Sequence, residues 1–443
     1  MGKIAERVTD RALPRPRRFR AVRLSAAGVL AVALVSGPRV EAWADVPRSE
    51  DAPAGEPGRS AQAGLAVGGG AIAGDPASAV DLHAHLGGER YALGLGARLH
   101  YTAGGGFRTE EWDELAEFIG IIRYALYERR AGGDRAAISA AAGELGDVRH
   151  GQGTVMAGYA SGLSLDHGRF GAQARARYDA VAAEAMIDNL AAPRILGLRA
   201  SAKVTPQTRL GISFHADARA PAAGGEAAVG IASLDGRLSG DAKDGRYRGY
   251  LYMDAASAAG LAAGLHAGAG GDAGLGQAGA RVAARGEIRA GTGGYVPGWF
   301  GPLYERDRLA MRAPGADTAA SQLDVARGGD LGGLAGLGEL RLSWPGIGEA
   351  GVTYAGRPAL ADHLVVRLEA PHFEDVQAAL WGVMTPGGGR GQGMALASEI
   401  RAELPRRYDL SFELARLYRQ GSEGSPAAAW KAIATFGAAL TGR

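Results

Sequence analysis

GELGDVRHGQGTVMAGYASGLSLDHGRFGAQARARYD, residues Gly143–Asp179, is the stretch that decides how this chain is read. Its first residues end one strand, its middle is glycine-rich and irregular, and a second strand is expected over 168–179. In that strand Phe170, Ala172, Ala174, Ala176 and Tyr178 share one face, while Arg169, Gln173, Arg175, Arg177 and Asp179 share the other. Side chains alternate along a strand, so one surface is apolar with an aromatic at each end and the opposite surface is densely charged. A soluble sheet also has a polar face, but it has no reason to bracket its apolar face with aromatics a dozen times over. A membrane-spanning barrel does, because its outside meets lipid and its inside meets water. The fold class expected is all-β, a single antiparallel transmembrane β-barrel.

The same alternation extends in both directions. Toward the N-terminus, 79–86 sets Val80, Leu82 and Leu86 against Asp81, His83 and His85. Gly87-Gly88 reads as a two-residue turn, and 89–101 turns Tyr91, Leu93, Leu95, Leu99 and Tyr101 outward with Arg98 and His100 inward. Residues 109–128 mix periods, with Trp112, Leu115, Phe118, Ile119 and Ile122 at helical spacing. They predict a helical turn over 110–117 and then a strand through Phe118–Glu128. A strand at 135–142 follows. Toward the C-terminus, strands are expected at 180–190, 194–204, 209–219, 227–234, 246–256, 259–268 and 277–290. Six more fall at 336–344, 348–356, 362–370, 375–384, 392–404 and 407–418, and Trp430–Leu440 closes the barrel. Residues 291–335 lack alternation, contain Pro297, Pro302 and Pro314, and form a long loop that is extracellular or folded inward. About 16–18 strands are expected, even in number for a single chain.

Composition sets the frame. The 443 residues contain no cysteine, which removes disulfides and thiolate metal sites. No apolar run reaches the length of a membrane-spanning helix. Residues 1–44 have the three-part plan of a signal peptide: a basic start, the short apolar core Leu24–Ser36, and Ala42-Trp43-Ala44 before Asp45. Residues 45–78 read as a flexible periplasmic lead-in and 79–443 as the barrel. The whole chain has 49 basic and 47 acidic residues, and the leader holds nine and three of them. The mature chain is therefore 40 against 44, or −4, and the basicity of the full sequence is no argument for nucleic acid.

Around Gly143–Glu144–Leu145, Gly151–Met156 (GQGTVM), Asp166–Gln173 (DHGRFGAQ) and Gly294–Phe300 (GYVPGWF), the chain resembles a loosely defined group of uncharacterised, porin-like outer-membrane proteins of Gram-negative bacteria. The resemblance covers about half the mature chain. It implies an outer-membrane barrel inserted by the barrel assembly machinery, and it supplies no catalytic or ligand residues. Barrels of this kind usually end on an aromatic residue, whereas here Phe436 is followed by Gly437–Arg443.

Three constellations could carry chemistry. Asp81-Leu82-His83-Ala84-His85 matches the D-x-H-x-H opening of metal-dependent amidohydrolases, but the helices that such a (β/α)₈ barrel needs between its strands are missing. The simpler account is two lumen-facing histidines. His150, Ser164, Asp166 and His167 suggest a barrel-wall hydrolase, but no G-x-S-x-G elbow accompanies them, and loop polarity explains them. No catalytic residue, metal or cofactor is expected, and the chain is not read as an enzyme. The third constellation is the inward charge. Arg98, His100, Arg175, Arg177, Arg199, Arg209, Asp217, Arg281, Arg285, Glu287, Arg289 and Glu369 are expected to line a pore, where rings of one charge set ion selectivity. Pairing of these arginines with inward acids into a wall-stiffening network is the competing account. Asp147, Arg149 and His150 are expected at a constriction built by 143–167, whose Val148, Val155, Met156, Tyr159 and Leu163 suit packing against an inner wall better than solution. Two functions follow: a passive channel for small hydrophilic solutes, or a non-conducting barrel serving as a surface scaffold or adhesin. Lipid is the expected partner in both.

Overall fold

The structure is a computed structural model. It describes residues 60–443 except 103, 105, 133–134, 166–167, 242–245, 259, 276–278, 312–318, 330, 358–359, 374–375, 386–393, 405–407, 421–425 and 443. The expected signal peptide and residues 45–59 of the expected lead-in lie outside the described residues, as do Asp166 and His167.

Among the described residues, twenty antiparallel strands form one closed sheet. In chain order these are β1 (Ser60–Ile72), β2 (Asp75–Gly88), β3 (Tyr91–Thr102), β4 (Ile122–Ala131) and β5 (Ala136–Gly143). Two short strands outside the wall follow, β6 (Val148–Arg149) and β7 (Ala157–Tyr159). The wall resumes with β8 (Gly171–Tyr178), β9 (Val181–Ile187), β10 (Ile195–Lys203), β11 (Thr208–Ala222), β12 (Gly225–Asp241), β13 (Tyr247–Ala258), β14 (Ala262–Leu275) and β15 (Ala280–Gly291). It ends with β16 (Gly333–Trp344), β17 (Gly348–Arg357), β18 (Leu360–Phe373), β19 (Val376–Met384), β20 (Met394–Leu404), β21 (Tyr408–Gln420) and β22 (Pro426–Gly442). Each strand pairs with the next, and β1 pairs with β22 from Ala61↔Gly442 to Ile72↔Lys431, which closes the ring.

Closure corrects two expectations. The strand number is 20, above the 16–18 read from the sequence, and 60–78 belongs to the wall and not to a lead-in. The cause is β1. Its inward positions are Gly64, Ala66, Gly68 and Gly70, so no charge alternates with the outward Leu65 and Val67. Two boundaries also move. The β2–β3 turn is Glu89-Arg90, because Gly88 stays in register with Tyr91, whose ring covers its bare face. Phe118 belongs to α1 (Leu115–Ile119), preceded by a 3₁₀ turn at Thr109–Glu111, and β4 starts only at Ile122.

The outer face is apolar. Phe214, Leu368 and Phe412 are exposed there, with Ile212 60 % and Ile288 68 % exposed, and Leu95 lies half-buried on the same face. Aromatics band both ends of the outer face. Tyr91, Tyr127, Tyr178, Tyr247, Trp344 and Tyr408 mark one end, and Tyr101, Tyr354 and Trp430 the other. The first end carries only short turns, such as 89–90, 179–180 and 345–347, together with the two wall strands' outer ends at Ser60 and Gly442. The second end carries the long connections 103–121, 144–170 and 292–332. That asymmetry and the two aromatic bands define a bacterial membrane-spanning barrel with its long loops on the extracellular side.

Candidate functional site

The long connections do not stand away from the barrel. They fill it. Segment 144–170 leaves β5, folds into the small β6–β7 hairpin, and locks onto 292–332, which carries α2 (Tyr304–Asp307) and α3 (Gln322–Gly328). The lock is a short ladder: Gly298 N–H donates to Thr154 O at 2.8 Å, Phe300 N–H to Val155 O at 3.0 Å, and Ala157 N–H to Phe300 O at 3.2 Å. Around it Val148, Val155, Met156, Tyr159, Trp299 and Phe300 form a buried apolar core that also takes Met186, Ile195 and Ile231 from the wall. Burial of so much apolar surface holds irregular backbone inside the lumen, where it is covered by protein.

Polar anchors tie this plug to the wall in several directions. Thr154 Oγ1 donates to Asp254 (2.7 Å) on β13, and Tyr304 OH donates to Asp217 (2.8 Å) on β11, which also faces Arg308 at 3.3 Å. His150 Nδ1 lies 3.1 Å from His215 Nε2. Arg149 pairs with Glu339 of β16 at 2.8 Å, and Asp147 pairs with Arg367 of β18. At the far side Tyr418 of β21 bonds the plug backbone both ways, to Leu163 O and from Leu165 N–H, each at 2.9 Å. Glu305 is the densest node. Tyr159 OH donates to it at 2.7 Å, and Arg169 and Arg194 pair with it. Burial pushes the Glu305 carboxyl up, but Arg169, Arg194 and Arg308 outweigh that and hold it at about 2. Burial, with Arg199 and Arg175 nearby, depresses His150 to about 4.

Among the described residues, two of the spaces beside the plug stand out. The first follows the β15–β18 wall and is lined by Glu349, Gly351, Thr353, Ala355 and Arg357, every inward residue of β17. These five positions extend over about 26 Å of strand, at roughly 3.3 Å per strand residue. Its other walls carry Arg285 and Arg289 of β15, Glu339 and Arg341 of β16, His363 and Arg367 of β18, and Asp147, Arg149 and Gly158 of the plug. Gly158 adopts φ +80°, and its bare face looks toward Asp147 and Arg367. The second space lies opposite, under the 103–121 connection, against β3, β4, β20 and β22.

The residues expected at the pore divide accordingly. Arg285 and Arg289 line the first space, and Glu287 is buried between them, 2.6 Å from Arg289 and 2.9 Å from His266. Arg98 and His100 line the second space. Arg199 is buried beneath Gly151 and paired with Asp235 of the wall, and Asp217, fully buried, holds Tyr304 and Arg308 of the plug, so neither lines either space. Arg175, Arg177, Arg209, Arg281 and Glu369 sit toward the short-turn ends of their strands, below the plug. There Arg175 faces Glu184 at 3.7 Å, Arg209 donates to Ser201 at 3.0 Å, and Arg281 pairs with Asp272. Asp147 and Arg149 line the first space, whereas His150 is sealed against His215. Asp81 pairs with Arg98 (2.6 Å), His85 bonds Tyr124, and no group of three metal-ligating side chains occurs among the described residues. Arg341, Arg357 and Arg367 also line the first space and were not among the residues expected there, although period-2 alternation from Glu339 and Glu369 points all but Arg357 inward. Glu305, in the run Tyr304–Arg308 (YERDR), was missed because nothing in a loop's composition says that it is buried.

The chain is a membrane-spanning β-barrel. Solved structures with a similar trace include the outer membrane protein OpdK from Pseudomonas aeruginosa, at 10% identity and TM-score 0.33, covering 86% of this chain and 99% of that one. A BenF-like porin from Pseudomonas fluorescens Pf-5 is similar at 11% identity and TM-score 0.34, covering 86% and 98%. OccAB1 from Acinetobacter baumannii is similar at 9% identity and TM-score 0.33, covering 86% and 97%. At these scores the likeness carries no argument about function. No protein-family model matches the chain, and no curated protein matches it. The geometry of the lumen therefore carries the functional argument alone.

Proposed function

We propose that this protein is a passive outer-membrane channel for small hydrophilic solutes, with the β15–β18 space as its path and a preference for anions. The observation that carries the reading is the run of β17 residues from Glu349 to Arg357, which keeps one cavity in contact with the wall for a strand's full length. Its lining holds six arginines, at 149, 285, 289, 341, 357 and 367, against Asp147, Glu339 and Glu349. Glu287 and Asp307, buried close behind, offset two of those charges, so the path stays net positive. A positively charged constriction lowers the barrier for anions relative to cations. The pairing network and the pore lining are thus one set of residues: Arg149, Arg341 and Arg367 are held in place by Glu339 and Asp147 while still facing the path.

Planar-bilayer recording of the refolded protein tests this. Discrete conductance steps are expected, with a reversal potential in a salt gradient displaced toward the anion. The second reading is a non-conducting surface scaffold, favoured by the dry core of the plug. Persistent silence of correctly folded protein selects it, and a cation-selective step refutes the charge argument.

A further inference from the structure

The first space encloses about 60 Å³, room for a few water molecules and too little for a hydrated solute to pass. A path of this width conducts only if some part of it moves. The register of the wall shows where. Glu339 of β16 pairs with Thr353 and Arg367 of β18 pairs with Gly351, so these two charged residues flank the middle of the β17 run from Glu349 to Arg357. Across β17, β16 and β18 are about 10 Å apart. The plug sets two side chains of its own on these wall residues, Arg149 on Glu339 and Asp147 on Arg367. All four line the same space, so each ion pair is a bar across it, and both bars cross at one depth.

The bars are not equally firm. Glu339 is held through both oxygens, since Arg149 Nη1 donates to Oε2 at 2.8 Å and Arg341 Nη2 to Oε1 at 3.0 Å. The stem of Arg149 lies over Gly153, where a Cβ would meet Arg149 Cγ at 3.1 Å. Asp147 is held differently. It reaches Arg367 through Oδ2, and its Oδ1 has no hydrogen-bond partner among the described residues. A carboxylate gripped from one side can be exchanged. Simple release would leave the partly buried Arg367 without this counter-charge, whereas replacement of Asp147 by another anion keeps one there throughout.

We infer that Asp147 is the gate and the selectivity residue of the arginine-lined path: a permeating anion opens it by taking the place of the Asp147 carboxylate on Arg367, while the Arg149–Glu339 bar stays closed. The inference rests on reading the β15–β18 space as the path. A cation or a neutral solute offers Arg367 no negative charge in exchange, so it does not open the bar. A planar oxyanion presents two oxygens to the guanidinium fork and exchanges more readily than chloride.

Single-channel recording of the full-length refolded protein in planar bilayers, with nitrate replacing chloride at constant ionic strength, tests this. The unchanged protein should show long closures that shorten as nitrate rises. Asp147→Asn and Arg367→Gln remove the same bar from its two ends. Each should shorten the closures roughly tenfold, the factor expected for losing one charge-assisted hydrogen bond, and the double variant should add nothing further. Their effects on selectivity should be opposite, with anion preference raised by Asp147→Asn and lowered by Arg367→Gln. Nitrate should no longer alter the closures in Asp147→Asn. If one variant fails to fold, the other still reports the closures and their response to nitrate. An unchanged protein that stays open, closures that neither substitution shortens, additive effects in the double variant, or a nitrate effect that survives Asp147→Asn each overturn the gate. The variant lacking Val148–Ser161 separates the two readings: if it conducts while Asp147→Asn gates like the unchanged protein, the gate alone fails, and if it too is silent, the channel reading fails and the gate with it.

Discussion

His150 and His215 lie ring against ring, centroids 5.1 Å apart, where the plug meets β11. Arg199 from β10 and Arg175 from β8 are the cations facing His150, and Phe300 closes the other side of the pair. A proton on either ring would sit unsolvated beside a guanidinium. His150 is therefore held neutral down to about 4, whereas in a released plug it titrates near its ordinary 6.5. A depressed histidine binds fewer protons docked than free, so docking weakens as pH falls from about 6.5 to about 4 and is unaffected above that window. Limited proteolysis of the plug as a function of pH should show rising cleavage across that interval. His150→Gln should flatten the profile, and an unchanged slope would place the titration elsewhere. The outer face offers a second residue-scale expectation. Phe214→Arg puts charge into lipid and should cost about 2–4 kcal/mol of barrel stability. Thr353→Arg, on the lumen side, should be nearly neutral. Denaturant titration in liposomes measures both, and equal losses would mean that the faces are reversed at one of them.

At the scale of elements, α2 is only four residues long, yet it carries the plug's main anchors: Tyr304 to Asp217, Glu305 to Arg169 and Arg194, and Asp307 to Arg357. Glu305→Gln would leave the half-buried Arg169 and Arg194 only their longer pairings with Asp188, at 3.8 and 3.5 Å, a change that should cost less than the roughly 3 kcal/mol of breaking a fully buried pair. The expected result is a barrel that still assembles and resists heat in a gel-shift assay, but whose plug is cleaved faster by protease. Loss of the barrel itself would show that plug and wall fold as one unit. Elements were legible where opposite chemistries alternate. β15 is an example, with Ile288 set against Arg285, Glu287 and Arg289. They were illegible where both faces are small, as in β1, since a period needs contrast to be seen. The bulge that turns both Arg123 and Tyr124 inward, between Gly94↔Tyr124 and Leu95↔Ile122, is a register fact that no local pattern announces.

For the whole molecule, the decisive arrangement is a barrel too wide to be filled by its own side chains and therefore filled by its loops. The sequence carried half of this. The GQGTVM and GYVPGWF segments are legible as unusual, and they are the two strips that join through Thr154, Val155, Gly298 and Phe300. Their junction was not legible, because it depends on strands 150 residues apart in sequence being neighbours across a lumen. The path should respond to both of its boundaries. A side chain added at Gly351 would meet only Leu340 O, at 3.8 Å, so Gly351→Trp should fold normally and abolish most of the conductance. Deleting Val148–Ser161 removes the opposite boundary and should raise conductance. If neither change alters the single-channel step in a correctly assembled barrel, the path runs elsewhere.

The β1–β22 seam has a consequence for how such a wall comes into being. The earliest described strand and the last one must find each other, so closure waits for β22 however fast the hairpins between them form. Until then β1 offers an open row of amide and carbonyl groups along a nearly featureless Gly-Ala segment, with little side-chain specificity against mispairing. That ordering makes the seam the slow, high-contact-order step and the point most exposed to aggregation during biogenesis. It also makes the molecule suited to circular permutation. Joining Gly442 to Ser60 and opening the chain at Glu89-Arg90 would turn the seam into an ordinary hairpin, and the permuted barrel should close faster than the natural one.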